Sequence, residues 1–182
     1  METKNRLGQI AAPLYIALLL SGSGVASATC IDPSQMPSST PDERFDDLGN
    51  GTIRDKSTGL MWKKCVQGLS GADCMTGTAI KKSWKDALQD ASSETFARHI
   101  DWRLPNKNEL FSIVESRCAN PSINENIFPN VGSVYHWTST PVYEHDTAEK
   151  AIRIYFANGD TDTSGTNGAG REEVFRLVRG GR

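Results

Sequence analysis

The sequence holds only 3 histidines and 4 cysteines, with no Cys-x-x-Cys pair and no Gly-x-Ser-x-Gly. A thiolate zinc site uses paired ligands at short spacing, which His99, His136 and His145 do not supply. The nucleophile elbow of a serine hydrolase is also missing. Charge of one sign is lacking: 20 Lys and Arg stand against 22 Asp and Glu. That balance calls for neither nucleic acid nor an anionic membrane as partner. The longest apolar run, Ile10 to Leu20, is too short to span a bilayer comfortably, and no later stretch approaches spanning length.

That run has the features of a targeting segment. Lys4 and Arg6 precede it, small residues follow, and Ala26-Ser27-Ala28 fits an A-x-A cleavage site. A signal peptide over 1–28, cut after Ala28, is the expectation. Pro13 and the small-residue exit argue against a retained anchor. Ser27 and Thr29 ahead of Cys30 argue against a lipoprotein. Removing Lys4, Arg6 and Glu2 leaves 18 basic and 21 acidic residues, net −3, on residues 29–182. That length suits one domain with a sizeable core. Cys30, Cys65, Cys74 and Cys118 all lie in this part, and an even count in an exported chain reads as two disulfides. Of the three pairings, the favoured one joins Cys65 to Cys74 across a short loop with Gly68 and Gly71. Cys30–Cys118 then ties the N-terminal arm to the body.

Residues 29–44, with Pro33, Pro37, Pro41 and Ser38-Ser39-Thr40, read as a linker ahead of a domain over 45–182. Asn50-Gly51 signals a turn, with short strands expected near 52–54 and 60–63. Trp84, Ala87, Leu88 and Ala91 recur at helical spacing behind a Ser83 cap, with Asp86 at the third helical position. A second helix opens with Asn106 and Glu109 and continues through Leu110, Ile113, Val114 and Arg117. Ile152, Ile154 and Phe156 alternate with Arg153 and Tyr155, and Asn158-Gly159 turns the chain into a strand from Asp160. Residues 164–170 read as a Gly-rich mobile loop. A last strand alternates Val174, Arg176 and Val178 with Phe175 and Leu177.

Several blocks together resemble the Lcl C-terminal domain family, named for a bacterial collagen-like adhesin. They are Gly51 to Trp62; Trp84 with Ala87 and Leu88; Asp101-Trp102-Arg103-Leu104-Pro105-Asn106 with Glu109-Leu110; and Ile127-Phe128-Pro129-Asn130. Trp137-Thr138-Ser139-Thr140, Phe156 with Asn158-Gly159, and Val178-Arg179-Gly180-Gly181 complete the set. The Trp-Arg-Leu-Pro-x-x-x-Glu run and the terminal Val-Arg-Gly-Gly also look like blocks of formylglycine-generating-enzyme domains. The resemblance implies an α+β, C-type-lectin-like fold: two main helices on short, mostly antiparallel sheets, with long loops and disulfide staples. It says little about function. The formylglycine chemistry is not carried over, because no cysteine follows Cys118.

Trp62, Trp84, Trp102 and Trp137 read as core, each needing a partner for its indole N–H. Tyr135, His136 and Trp137, set among polar residues, form a candidate stacking platform for a sugar. Arg103 calls for a carboxylate, with Asp101, Glu109 and Asp55 as the choices, and Arg179 invites the same structural reading. Lys81, Lys82 and Lys85 around Trp84 are a candidate patch for a sulfated glycan, or an ordinary solvated helix face. Asp160 to Gly165 match the first half of a calcium loop, but Arg171 stands where a Glu is required. Asp160 and Asp162 remain as a looser calcium option; no other cofactor is expected. Glu-Pro-Asn, Gln-Pro-Asp and Trp-Asn-Asp, the calcium-bridged sugar motifs of classical lectins, are missing. Glu94, Glu115 and Glu125 could supply acid–base pairs, but spacing alone does not bring any two together. The leading expectation is a non-enzymatic module, periplasmic, surface-bound or secreted, that recognises a glycan, a surface polymer or an envelope protein. The alternatives are a structural subunit of an envelope assembly and an enzyme with an unrecognised polar cleft.

Overall fold

The structure, a computed structural model, describes residues 28–144, 148–166 and 171–180. The targeting segment 1–27 and most of the Gly-rich stretch, 167–170, lie outside the described residues. Four small antiparallel sheets and two short helices make a mixed α/β body, closed by the disulfides Cys30–Cys118 and Cys65–Cys74.

The four-stranded sheet has the order β11-β4-β3-β2, from β2 (Phe45–Asp47), β3 (Thr52–Asp55), β4 (Met61–Lys63) and β11 (Val178–Arg179). Asp55, fully buried at the end of β3, pairs with the Arg44 guanidinium at 2.5 and 2.8 Å. Burial raises the Asp55 carboxyl pKa, but hydrogen bonds from Arg44, Thr58 and Ser57 outweigh it and hold the group below the usual carboxylate range. The buried charge therefore braces the turn Ser57-Thr58-Gly59.

The second sheet, β10-β9-β8, carries β8 (Tyr135–Glu144), β9 (Ala148–Tyr155) and β10 (Asp160–Gly165). The Asn158-Gly159 turn joins the last two, pairing Asp160 with Tyr155. Gly159 has φ +82°, and a Cβ there would come within 2.8 Å of Val114, so both the backbone and the packing require glycine. The edge strand β8 shifts register between Trp137 and Pro141. An edge is where a strand tolerates a proline that cannot donate to the ladder. Two-stranded pairs complete the set: β1 (Thr29–Cys30) with β7 (Cys118–Ala119), and β5 (Leu69–Ser70) with β6 (Thr76–Gly77).

Helix α1 (Trp84–Ser93) starts at the Ser83 cap, whose hydroxyl accepts from Asp86 N. Helix α2 (Lys107–Phe111) opens with a complete Asn106/Glu109 capping box. It runs for five residues instead of continuing to Arg117. Ser112 Oγ donates to Glu109 O, and Ile113 and Val114 close tight turns on Leu110 O and Phe111 O. This tightening drives both apolar side chains into the core. Both helices pack on the three-stranded sheet, α1 against β8 and α2 against β8 and β9, but only α1 reaches about three turns, where two main helices were expected.

Two cores result. One gathers Phe45, Ile53, Trp62, Leu110, Phe128, Ile154, Phe156 and Val178. The other gathers Ala87, Ala91, Trp102, Leu104, Trp137, Phe175 and Leu177. Residues 173–178 run between them, hydrogen-bonding to Lys63, Gln67, Lys82, Arg103 and Trp137. Both faces of this segment are covered, so only Val178–Arg179 form a regular strand although the alternation spans 174–178.

Residues 29–44, which composition marks as a linker, lie against the body. Thr40 is fully buried, and the Glu115 carboxylate gathers the arm by accepting from Ser38 Oγ, Ser39 N, Thr40 N and Thr40 Oγ1. Burial opposes ionisation of Glu115. Hydrogen bonds from Ser38, Thr40 and Arg117 N outweigh it and pull the pKa from 4.5 down to about 2. A carboxyl whose folded pKa is depressed adds stability above its unfolded pKa and loses it as pH falls through the folded one. The arm should therefore loosen between pH 4.5 and 2. Glu115→Gln should flatten that part of the pH–stability curve, measured by denaturant titration; an unchanged slope would show that Glu115 does not anchor the arm.

Candidate functional site

The platform expected at 135–137 does not present itself to solvent. His136 and Trp137 are completely buried. The Trp137 indole N–H donates to Lys82 O at 2.9 Å, and the His136 ring packs on Phe156 at 4.7 Å. Tyr135 is partly exposed, but the Arg153 guanidinium lies 3.7 Å from its ring centroid and the Tyr155 ring stacks on it at 4.4 Å. Tyr135 is thus engaged by two neighbours from β9. The burial has a physical cause: at His136 and Trp137, the start of β8 meets Val174 as well as β9, and these neighbours come from distant parts of the chain.

Arg153, in turn, ion-pairs with Asp162 at 2.6 Å and with Glu173. Asp162 is thus engaged by a guanidinium and by Thr163 N, and Asp160 accepts from Asn158 Nδ2. Among the described residues no group of three or more His, Cys, Asp or Glu side chains is placed to hold a metal ion. Lys82 pairs with Asp90 at 3.4 Å, and Lys81 and Lys85 are exposed on the α1 side.

The other residues singled out brace the domain. Arg103 makes two bonds to Glu109, at 2.7 and 2.8 Å, and a third to Gly180 O, joining α2 to the end of β11. Arg179 does the same with Asp101 at 2.8 and 3.1 Å. Trp84 Nε1 donates to Thr138 O, and Trp102 Nε1 donates to Phe96 O. Trp62 is fully buried and its indole N–H has no partner among the described residues.

What spacing alone did not bring together is a groove of two adjoining hollows. One, of about 430 Å³, lies beside the Cys30–Cys118 bridge and is lined by Asp42, Glu43, Arg117, Asn124, Glu125 and Asn126, among others. The second, of about 380 Å³, is lined by Asp73, Met75, Asn120, Pro121, Asn130 and Ser133, and shares Glu125 with the first. Volumes of this size are in the range of small-ligand sites. The lining is held rigidly. Asn124 Nδ2 donates to Thr40 O and Asp42 Oδ1, Asn126 Nδ2 to Asp42 Oδ2, and Asn130 Nδ2 to Cys74 O. Asp42, Glu43, Glu115 and Glu125 outnumber Arg117, so the first hollow is negative. Lys81, Lys82 and Lys85 lie outside both linings. The Pro129-Asn130 block was visible in the sequence; that Asn130 faces Cys74, and that Asn124 and Asn126 meet Asp42, was not.

The family model of the Lcl C-terminal domain matches residues 51–179. The chain belongs to that family. No curated protein and no solved structure matches it. The matched Lcl C-terminal segment contains both cores' principal residues, the Arg103–Glu109 and Arg179–Asp101 braces and the whole second hollow. The arm bearing Ser38, Asp42 and Glu43 precedes the match, so one wall of the first hollow comes from outside the Lcl C-terminal segment.

Proposed function

We propose that this chain is an exported, non-enzymatic binding module whose two-part groove takes a neutral or cationic sugar polymer. The observation that carries the reading is the groove at Glu125. Carboxylates and side-chain amides are presented with the apolar surfaces of Met75 and Pro121, the mixture that suits the hydroxyl rim and C–H face of a sugar ring. The negative lining disfavours sulfated chains. Paired carboxylates could suggest acid–base chemistry, but Glu115 is locked by the arm and stays ionised above about pH 2. It serves as an anchor.

Export is supported by the two disulfides and by the A-x-A site ending at Ala28. Among the described residues no helix is long and apolar enough to cross a membrane. Ala28 lines the first hollow and its N donates to Glu125 Oε2 at 3.1 Å, so cleavage after Ala28 replaces that amide with the Thr29 α-ammonium one residue away. The layout of short antiparallel sheets, two short packed helices and loop-built hollows supports a C-type-lectin-like reading of the fold. The test is a glycan array probed with residues 29–182, with calcium and with chelator. Retention of neutral or amino-sugar oligosaccharides is expected. Silence on every sugar, with co-isolation in a defined envelope complex, would replace this reading with that of a structural subunit.

A further inference from the structure

The wall between the two cores contains a charge with no counter-charge among the described residues. Arg176 is 1 % exposed, and its Nη1 donates to the carbonyls of Lys63 and Lys64. Its Nη2 has no partner among the described residues. Its guanidinium carbon lies 4.9 Å from the Phe128 ring centroid. Lys63 nearby is also buried, but its ammonium has Glu94 at 3.5 Å. Among the described residues no carboxylate takes this role for Arg176. Burial lowers its pKa to about 9, which still leaves it protonated at neutral pH. An isolated buried cation is costly unless paired.

Two other unpaired polar atoms share its side of the fold. Val178 pairs with Trp62 across β11 and β4, and Val174 bridges to His136. Residues 174, 176 and 178 alternate with Phe175 and Leu177, which belong to the opposite core. Arg176 therefore points to the side where Trp62 and His136 lie, the core of Phe128 and Phe156. Trp62 Nε1 and His136 Nε2 are both buried without partners there. His136 is neutral: burial, then the Arg176 charge, lowers its pKa to about 3. Its Nδ1 lies 3.4 Å from Val134 O, at the outer limit of a hydrogen bond. A carbonyl only accepts, so this contact favours the Nδ1–H tautomer, but at that length only weakly; an anion beside Nε2 shifts the proton to Nε2.

We propose that this compartment is a binding site for one monovalent anion of halide size, held by Arg176 Nη2, Trp62 Nε1 and the Nε2–H tautomer of His136. The anion neutralises the guanidinium and takes up N–H groups that are otherwise unpaired. The site is independent of the groove, and its failure would leave the sugar-binding reading untouched.

The test uses residues 29–182 at constant ionic strength, replacing gluconate stepwise with chloride or bromide. The thermal midpoint should rise and saturate with halide but not with gluconate. A crystal grown in bromide should show an anomalous peak beside Arg176. Arg176→Met should abolish the halide-dependent shift. Trp62→Phe, which keeps an aromatic ring and removes the N–H, should weaken halide binding by about tenfold, the effect of one hydrogen bond to a charge. It provides the reading if the Arg176 variant fails to fold. A midpoint insensitive to halide, with an ordered water and no bromide at Arg176, would overturn the proposal.

Discussion

Replacing Cys30 and Cys118 together by serine is expected to lower the free energy of unfolding by about 4–5 kcal/mol. The bridge closes 88 residues of chain, and the entropy withheld from the unfolded state grows with the closed length. Replacing Cys65 and Cys74, which close a separation of 9, should cost about 2–3 kcal/mol. The long bridge also has a local task. It fixes the two-residue β1 against β7 at the start of the arm that walls the first hollow. Limited proteolysis of the Cys30/Cys118 variant should cut within residues 31–37 before the body is touched. Equal losses for the two pairs, or an arm as resistant as in the parent, would show that the arm is held by Glu115 alone.

Trp102→Ala should destabilise by about 3–5 kcal/mol in denaturant titration. Trp102 is 2 % exposed, its ring meets Phe96 and His99 edge-on, and its N–H is satisfied within the turn before it. Deleting it opens a cavity between α1 and the 173–178 segment, where Phe175 and Leu177 lose a neighbour. Trp102→Phe should recover part of the loss. A cost under about 1 kcal/mol for the alanine variant would place Trp102 outside the second core.

Local chemistry made much of this fold legible. The Ser83 cap, the Asn106/Glu109 capping box and the Asn158-Gly159 turn are contacts between residues a few positions apart. Sequence spacing reports such contacts directly. The helix at 107–111 stops early because Ile113 and Val114 are taken by the first core, a tertiary effect that periodicity does not register. Strand β8 escaped notice because Pro141 and the Thr138-Ser139-Thr140 run break its alternation, while its partners lie in β9 and at Val174. The arm resembles a linker because its anchors, Cys118, Glu115 and Asn124, all lie 75 residues or more along the chain. The groove was invisible for the same reason. Residues 42–43, 73–75 and 120–133 are distant in the chain and are brought together only by the tertiary fold.

On the function we propose, the Glu125 groove grips a sugar without transforming it. The most direct measurement is calorimetric titration of residues 29–182 with the best oligosaccharide from the array, against a Glu125→Gln/Asn126→Ala variant and against Lys81→Ala. Binding should fall at least about tenfold in the groove variant, as expected for losing hydrogen bonds to a charged group, and stay unchanged for Lys81→Ala, with the oligosaccharide recovered intact. Equal binding by the groove variant, or cleavage of the oligosaccharide, would contradict the account.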